Sequence, residues 1–175
     1  MPQLATFYIG TEVFGINILL AREIGKSVEI TPVPQAPEHI LGLINLRGQI
    51  LTIMEPRFFL SDTHIASTLL KERKLIIFKT EGELSTLKKH GLLSEKTYIK
   101  DPLAIVIDEI GDVVNIDATE ISQPPPNLSG VKREYISGVY QRKEGLVILL
   151  DLNRLVQAAL PPSDSESEEI QSVGS

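Results

Sequence analysis

Cysteine is absent from this 175-residue chain, which excludes a disulfide framework, a thiolate nucleophile and any cysteine-based zinc or iron–sulfur site. The three histidines, His39, His64 and His90, stand alone in the sequence, without the spacing of metal ligands. Neither a Gly-x-Ser-x-Gly elbow nor a phosphate-binding glycine motif is present. We therefore expect no metal, no cofactor and no enzymatic activity.

A surplus of basic residues is also missing, because 17 Lys and Arg face 23 Asp and Glu, for a net charge of −6. A nucleic-acid-binding protein needs a concentrated basic face to neutralise phosphates. The short basic runs at residues 71–74 and 88–89 are interpreted as solvated loop charges. We therefore expect no nucleic-acid partner.

No apolar run approaches the roughly 20 residues that a membrane-spanning helix needs. Residues 1–6 also lack the basic and apolar segments of a signal peptide. These two absences predict a soluble, cytoplasmic protein that does not insert directly into a membrane.

The chain is rich in short aliphatic runs separated by Gly, Pro and Asp, a pattern typical of β-strands. Residues 7–9 and 13–20 flank the turn-forming Gly10-Thr11-Glu12 and predict a hairpin. Further strands are predicted at residues 50–54, 75–78, 103–107 and 146–150. The sequence therefore predicts an all-β fold.

One helix is predicted near the C-terminus. Asp151 can cap its first turn, Leu152 and Leu155 share one face with Ala159, and Pro161 stops it. Residues 161–175 are acidic, Ser-rich and poor in apolar groups, so a disordered tail is predicted there. The segment 61–71 is ambiguous between a loop and one helical turn.

An internal repeat is the most informative feature of the sequence. Residues 15–24 align without a gap on residues 104–113, with Glu23 falling on Asp112. In both copies a proline cluster follows, at 32–37 and at 124–126.

The repeat continues downstream of the proline clusters. A Glu-x-Ile-x-Gly pattern occurs at residues 38–42 and again at 134–138, and an acid follows thirteen residues after each glycine, at Glu55 and at Asp151. Matches that recur in the same order indicate duplication. We expect one domain over residues 1–160, built from two intertwined pseudo-repeats at about 5–60 and 74–156.

The second repeat carries an insertion at residues 81–97. The hairpin arms around it are predicted at 75–80 and 98–101, with the insertion at a surface loop tip, where added length costs little entropy.

The segment Asn45-Leu46-Arg47-Gly48 interrupts an apolar stretch with an amide, an arginine and a flexible glycine. An arginine between core-type strands is costly to desolvate unless a carboxylate meets it. The sequence therefore predicts an ion pair between Glu23 and Arg47, which either only pins a turn or shapes a docking groove. The acids Asp108, Glu109 and Asp112 are expected at the solvent edge of a strand and the turn after it.

These residues carry a resemblance to a known family. The ordered set of motifs over about residues 5–160 resembles the CheW family: Phe7-x-Ile9-Gly10, Phe14-Gly15-Ile16-Asn17-Ile18, Arg22-Glu23-Ile24, Pro32-x-Pro34-x-x-Pro37, Gly42-Leu43-Ile44-Asn45-Leu46-Arg47-Gly48-Gln49-Ile50-Leu51 and Leu149-Leu150-Asp151. The resemblance implies two SH3-like five-stranded β-barrel subdomains with a short C-terminal helix.

The resemblance also implies a function. Proteins of this family are non-catalytic scaffolds that bind the regulatory domain of a CheA-type kinase and the cytoplasmic tip of chemoreceptors, at membrane-bound receptor arrays. Carried over residue by residue, it places seven residues in or near the receptor-facing groove: Ala21, Glu23, Ile24, Asn45, Leu46, Arg47 and Gly48.

Two departures from the family pattern are relevant to partner choice. Ala21 stands where the family usually has valine, and the insertion at 81–97 is unusual, so a divergent member is indicated. An adaptor of a pilus-motility or developmental chemosensory pathway is the alternative. A small β-barrel enzyme using Asp108, Asp112 or Glu120 is a less favoured one.

Overall fold

The computed structural model describes residues 2–26, 28–60, 73–126, 128 and 131–160. Strands dominate these residues, with three short α-helices. The strands are β1 Gln3–Ile9, β2 Glu12–Asn17, β3 Ala21–Lys26, β4 Ile40–Leu46, β5 Gln49–Met54, β6 Lys74–Phe78, β7 Leu103–Ile107, β8 Glu109–Asn115, β9 Ile121–Ser122, β10 Ile136–Arg142 and β11 Gly145–Leu150; the helices are α1 Arg57–Leu60, α2 Glu81–Lys89 and α3 Leu152–Ala159. The predicted all-β fold with a short C-terminal helix is confirmed.

The strands form two sheets that exchange hairpins between the repeats. One sheet has the order β8-β1-β2-β11-β10-β9 and the other β3-β6-β7-β5-β4. The β1–β2 hairpin thus lies among strands of the second repeat, and the β6–β7 hairpin among strands of the first. Because neither repeat completes a sheet alone, the two halves are topologically interlocked.

The strand registers follow the sequence repeat residue by residue. In the parallel pair of β2 with β11, Gly15 lies opposite Leu149. In the parallel pair of β7 with β5, Ala104 lies opposite Ile53. Gly15 and Ala104 are aligned in the repeat, and Leu149 and Ile53 each precede the matched acid by two residues. The repeat therefore describes equivalent packing in both sheets.

The repeated Glu-x-Ile-x-Gly pattern marks a bulge that a neighbouring segment crosses closely. The β4–β5 register shifts just before Gly42, and the β10–β11 register shifts just before Gly138. A Cβ on Gly42 would lie 2.3 Å from the carbonyl oxygen of Thr31, and one on Gly138 would lie 2.6 Å from Cγ2 of Ile121. Glycine is required at both positions because any side chain would clash there.

Apolar side chains of the described residues form three clusters. The largest joins the two sheets to α2 and α3, and includes Phe7, Phe14, Met54, Phe78, Ile105, Ile148 and Leu155. A second lies within the five-stranded sheet, with Ile44, Leu51, Ile53, Leu75, Ile77, Ala104 and Val106. The third is smaller and lies within the six-stranded sheet, with Leu4, Ile116, Val147 and Leu149. The largest cluster thus holds the two interlocked halves together.

The C-terminal helix forms as its sequence predicts. The Asp151 side chain accepts a hydrogen bond from the Arg154 backbone N–H, as an N-cap does. Leu152, Leu155 and Ala159 are buried on one face. The predicted first hairpin is also confirmed, although residues 18–20 form a 3-10 turn capped by the Asn17 side chain instead of extending β2.

The insertion in the second repeat is not the surface loop tip that the sequence predicted. Residues 81–89 form α2, whose Leu84 side chain is fully buried in the largest cluster together with Ile99. The second hairpin arm is β7 at Leu103–Ile107, and residues 98–101 are not a strand. The prediction was wrong because two leucines, Leu84 and Leu87, in a short charged segment give only a weak amphipathic signal.

The two basic runs are not simply solvated loop charges either. The Arg73 side chain is 1% exposed, Lys74 begins β6, and Lys88 lies on α2 with a side chain only 8% exposed. Carboxylate partners compensate for the burial of these charged groups. The residues next to them in the sequence do not reveal which carboxylates these are. The predictions for residues 61–71 and for the tail at 161–175 lie outside the described residues.

Leu84→Ala should lower the free energy of unfolding by about 2–5 kcal/mol, because it removes a fully buried side chain from the core. Leu92→Ala is the matched control in the same insertion, since Leu92 is 56% exposed, and it should change stability by at most about 0.5 kcal/mol. Urea unfolding of both variants measures the difference. Equal effects would contradict a core role for α2.

Candidate partner-binding surface

The Asn45–Gly48 segment forms a two-residue turn between β4 and β5. Leu46 pairs with Gln49 across it, and the turn residues Arg47 and Gly48 have φ values of 51° and 84°. Positive φ at both central residues is the requirement of a type I′ hairpin turn. The Asn45 side-chain oxygen accepts a hydrogen bond of 3.0 Å from the Gly48 N–H. For a residue with a side chain, this left-handed backbone conformation is about 1–2 kcal/mol less favourable than the right-handed one. The conformation of Arg47 therefore lowers the stability of the folded chain slightly.

Arg47 and Glu23 are in contact, with Arg47 Nη2 donating to Glu23 Oε2. The Arg47 side chain is 71% exposed and the Glu23 side chain 36% exposed. Arg47 is thus not the desolvated arginine between core strands from which the pair was predicted, because the turn extends beyond the sheet into solvent. An exposed pair of this kind adds at most about 1 kcal/mol to stability.

A second link runs beside the first and was missed by the sequence reasoning. Arg22 Nη1 donates to Gln49 Oε1 at 2.6 Å, and Arg22 Nη2 donates to Glu83 of α2. The only available sequence signal was the position of Arg22 next to Glu23. Pairing Arg22 with an acid in the insertion requires the fold itself, because the two residues are 61 positions apart.

Both links join β3 to the region of the β4–β5 turn: Glu23 contacts Arg47 in the turn, and Arg22 contacts Gln49 at the first residue of β5. Strand β3, which carries Arg22 and Glu23, is at one edge, and β4, which leads into the turn, is at the other. Their contact shows that the sheet curls until its edges meet through side chains.

We define the turn surface as the seven residues that the family resemblance singled out. Their positions differ in exposure: Ala21 packs partly against the largest cluster and Leu46 partly against the second cluster. Ile24 is 37% exposed, and Asn45, Arg47 and Gly48 are exposed. The neighbouring Ile50, 53% exposed, was not predicted and adds an apolar group next to the turn. The structure thus brings the seven residues onto β3 and the β4–β5 turn of one sheet.

The equivalent turn of the six-stranded sheet is built differently. Lys143 and Asp112 occupy the positions of Arg47 and Glu23 in the repeat. They line an open cleft of about 470 Å³ together with Tyr140, Arg142 and Glu144. The arginine–carboxylate contact at this turn is instead a local one, with Arg142 Nε 3.8 Å from Glu144 Oε2, and it does not reach across to Asp112 as Arg47 reaches Glu23.

Asp108 is not at the solvent edge where the sequence placed it. It accepts hydrogen bonds from Arg57 and from the Gly10 N–H, the latter at 2.6 Å, and it lies 3.2 Å from Arg73 Nε. Glu55 accepts two hydrogen bonds from Arg73, one of them at 3.1 Å. Two carboxylates and two guanidinium groups thus form one ion cluster, which we call the junction cluster (Glu55, Arg57, Arg73 and Asp108).

The acids proposed for a small enzyme perform separate structural roles. Asp108 belongs to the junction cluster, while Glu120 caps a 3-10 turn reciprocally with Asp117. Hydrogen bonds from the Thr119 backbone and side chain hold the pKa of Asp117 below its usual range. Asp112 lies in β8, where its backbone carbonyl accepts a hydrogen bond from the Thr6 hydroxyl.

The hydrogen bond and charge of Lys74 hold the pKa of the Glu109 carboxyl below its usual range. Within the residues that the structure describes, no group of three or more His, Asp or Glu side chains is arranged to hold a metal ion.

In the described parts of the chain, no helix has the length and apolar character needed to cross a membrane.

Comparison with known proteins gives a consistent result. Residues 3–160 match the family model described as a CheW-like domain. The chemotaxis protein CheW of Treponema pallidum is 30% identical over 155 residues, covering 87% of this chain and 81% of that protein. CheW of Klebsiella aerogenes is 26% identical over 152 residues, covering 87% and 80%. The crystal structure of the scaffolding protein CheW from Thermoanaerobacter tengcongensis superposes with a TM-score of 0.68 at 24% identity, covering 89% and 88% of the two chains.

Proposed function

The chain belongs to the family of CheW-like domains, and on that premise we propose that it is a non-catalytic adaptor that couples chemoreceptors to a CheA-type histidine kinase. Its partners are then the cytoplasmic tip of a receptor and the regulatory domain of the kinase. It works in the cytoplasm and is recruited to membrane-bound receptor arrays by these contacts.

The turn surface is the observation that carries the receptor half of the proposal. It offers one charge pair, one exposed amide and one exposed isoleucine, Ile24, and the exposed Ile50 lies beside it at the start of β5. Apolar anchors supply affinity and neighbouring charges supply selectivity in protein interfaces. Because the Glu23–Arg47 contact already exists in the free chain, the two side chains lose little conformational entropy on binding.

A coupling role requires that receptor and kinase bind at the same time, so the two contact surfaces must be separate. The receptor contact is assigned to the turn surface, and the kinase contact therefore lies elsewhere on the molecule. It follows that a change at the turn surface should affect the receptor affinity and leave the kinase affinity unaltered.

The proposal is tested by calorimetric titration of the chain into the isolated regulatory domain of its host's CheA-type kinase, and separately into a receptor-tip fragment. A saturable one-to-one isotherm is expected in both titrations. The absence of binding heat in both, at several temperatures and with a folded sample, would refute the adaptor function.

A further inference from the structure

Arg22 stands between the turn surface and the insertion helix. Its two terminal nitrogens reach in different directions, one to Gln49 at the exit of the turn and one to Glu83 in the first turn of α2. The Arg22 side chain is 23% exposed, so most of it is covered by neighbouring residues. The position of α2 is thus connected to the position of the turn through a single side chain.

The chemistry of this link depends on arginine. A guanidinium is planar and presents its donors as a rigid fork, so two acceptors on different elements fix its orientation. An ammonium group in its place is a point charge without that directionality. Gln49 pairs with Leu46 across the turn, so holding Gln49 also limits where Arg47 can go.

The helix at the other end of the link is firmly anchored. Leu84, the residue after Glu83, is fully buried in the largest cluster. Because neighbouring residues on a helix move together, the backbone of Glu83 is held in place by the buried Leu84. The insertion therefore supplies a rigid support for Arg22.

We propose that Arg22 is a positioning residue for the turn surface, and that the insertion helix α2 sets the receptor affinity of this chain by holding Arg22 through Glu83. This inference rests on the proposed function, since the receptor tip is the partner whose affinity is set. It assigns to residues 81–89 a role in receptor recognition without requiring that α2 touch the receptor.

The test compares Glu83→Gln with Glu81→Gln. The two glutamates are in the first turn of the same helix, both have side chains 37% exposed, and Glu81 pairs with Lys88 within α2 instead of with Arg22. Glu83→Gln should weaken receptor-tip binding about fivefold and leave binding to the kinase regulatory domain unchanged. Glu81→Gln should leave both affinities unchanged.

A second measurement reads the positioning in the free chain. Amide hydrogen exchange at Gly48, whose N–H bonds to the Asn45 side chain, should be several times faster in Glu83→Gln and in Arg22→Lys than in the parent or in Glu81→Gln. Local opening of this kind is what amide exchange reports.

The outcomes separate the inference from the function on which it rests. Unchanged Gly48 exchange and unchanged receptor affinity in Glu83→Gln, with a parent that binds the receptor tip, would overturn the inference and keep the function. If Gly48 exchange were faster in Glu83→Gln but the folded parent chain did not bind a receptor tip, the receptor role would be refuted and only the mechanical link would stand. Equal loss of affinity in Glu81→Gln would also overturn the inference, because it would point to a general effect on α2.

Discussion

Arg73→Ala should lower the free energy of unfolding by about 3–5 kcal/mol, the usual cost of removing one partner from a buried ion pair. The Arg73 side chain is 1% exposed and donates to both carboxylate oxygens of Glu55. Glu55 is itself only 8% exposed at its side chain. Without Arg73, the buried Glu55 carboxylate would keep only a 3.9 Å contact with Arg57 Nε and a 3.3 Å hydrogen bond from the Arg57 backbone N–H.

The junction cluster has this large effect because of what it connects. Glu55 directly follows β5 and Asp108 directly follows β7, the parallel pair at the centre of the five-stranded sheet. Asp108 also accepts from Gly10 in the turn of the β1–β2 hairpin, which belongs to the other sheet. Loss of Arg73 should therefore weaken the connection between the interlocked halves.

Lys74→Ala is the matched control, because Lys74 is the next residue and also pairs with a carboxylate, that of Glu109. This pair is exposed, at 28% and 62% for the two side chains, so its loss should cost less than about 1 kcal/mol. Urea denaturation gives both values, from the midpoint at constant slope. Similar midpoints for the two variants would contradict the central role of the junction cluster.

Arg47→Glu should reduce receptor-tip affinity about a hundredfold, or about 2.7 kcal/mol. The substitution places two carboxylates, Glu23 and the new one, side by side at the centre of the turn surface, and like charges brought together at an interface cost several kcal/mol. Stability should change by less than about 1 kcal/mol, since the native pair is exposed. Kinase binding should remain at the parent level.

Two controls accompany this variant. Lys143→Glu makes the same reversal at the repeat-equivalent turn of the other sheet, and it should leave receptor affinity unchanged. The exchange Glu23→Arg with Arg47→Glu rebuilds an ion pair of opposite polarity, and it should recover part of the affinity if the receptor reads the fixed turn as well as the charge. Receptor binding by Arg47→Glu at parent affinity would contradict the assignment of the turn surface.

Much of the fold was predictable because its signals are local. The strands at 50–54, 75–78 and 103–107 are short aliphatic runs between breakers, and the cap at Asp151 fixes the start of α3. The repeat can be recognised in the sequence because both copies keep a glycine, at Gly42 and Gly138, where close contacts leave no room for a side chain. The repeats were expected to intertwine, but which hairpin enters which sheet was not predicted, because strand pairing depends on which strand edges meet and not on any strand's own sequence.

The errors concern charged residues that the fold buries. Arg73 lies in a basic run that reads as solvent-exposed, yet the β5–β7 geometry supplies Glu55 and Asp108 on either side of it. The insertion at 81–97 reads as polar, yet Leu84 gives α2 a buried anchor. The turn surface was found from a motif, while its Arg22 support was missed because its partners come from distant elements. Compensation of charge by residues far apart in the chain is a property of the folded structure.

The most direct test of coupling is sedimentation velocity on a mixture of a receptor-tip fragment, the kinase regulatory domain and this chain. If the chain is an adaptor with separate surfaces, a complex containing all three components should form with the chain present and disappear when it is left out. Arg47→Glu should remove the receptor fragment from that complex and leave the kinase domain bound. If receptor and kinase instead displaced each other from the chain, so that only two-component complexes sedimented, the adaptor function proposed for it would be wrong.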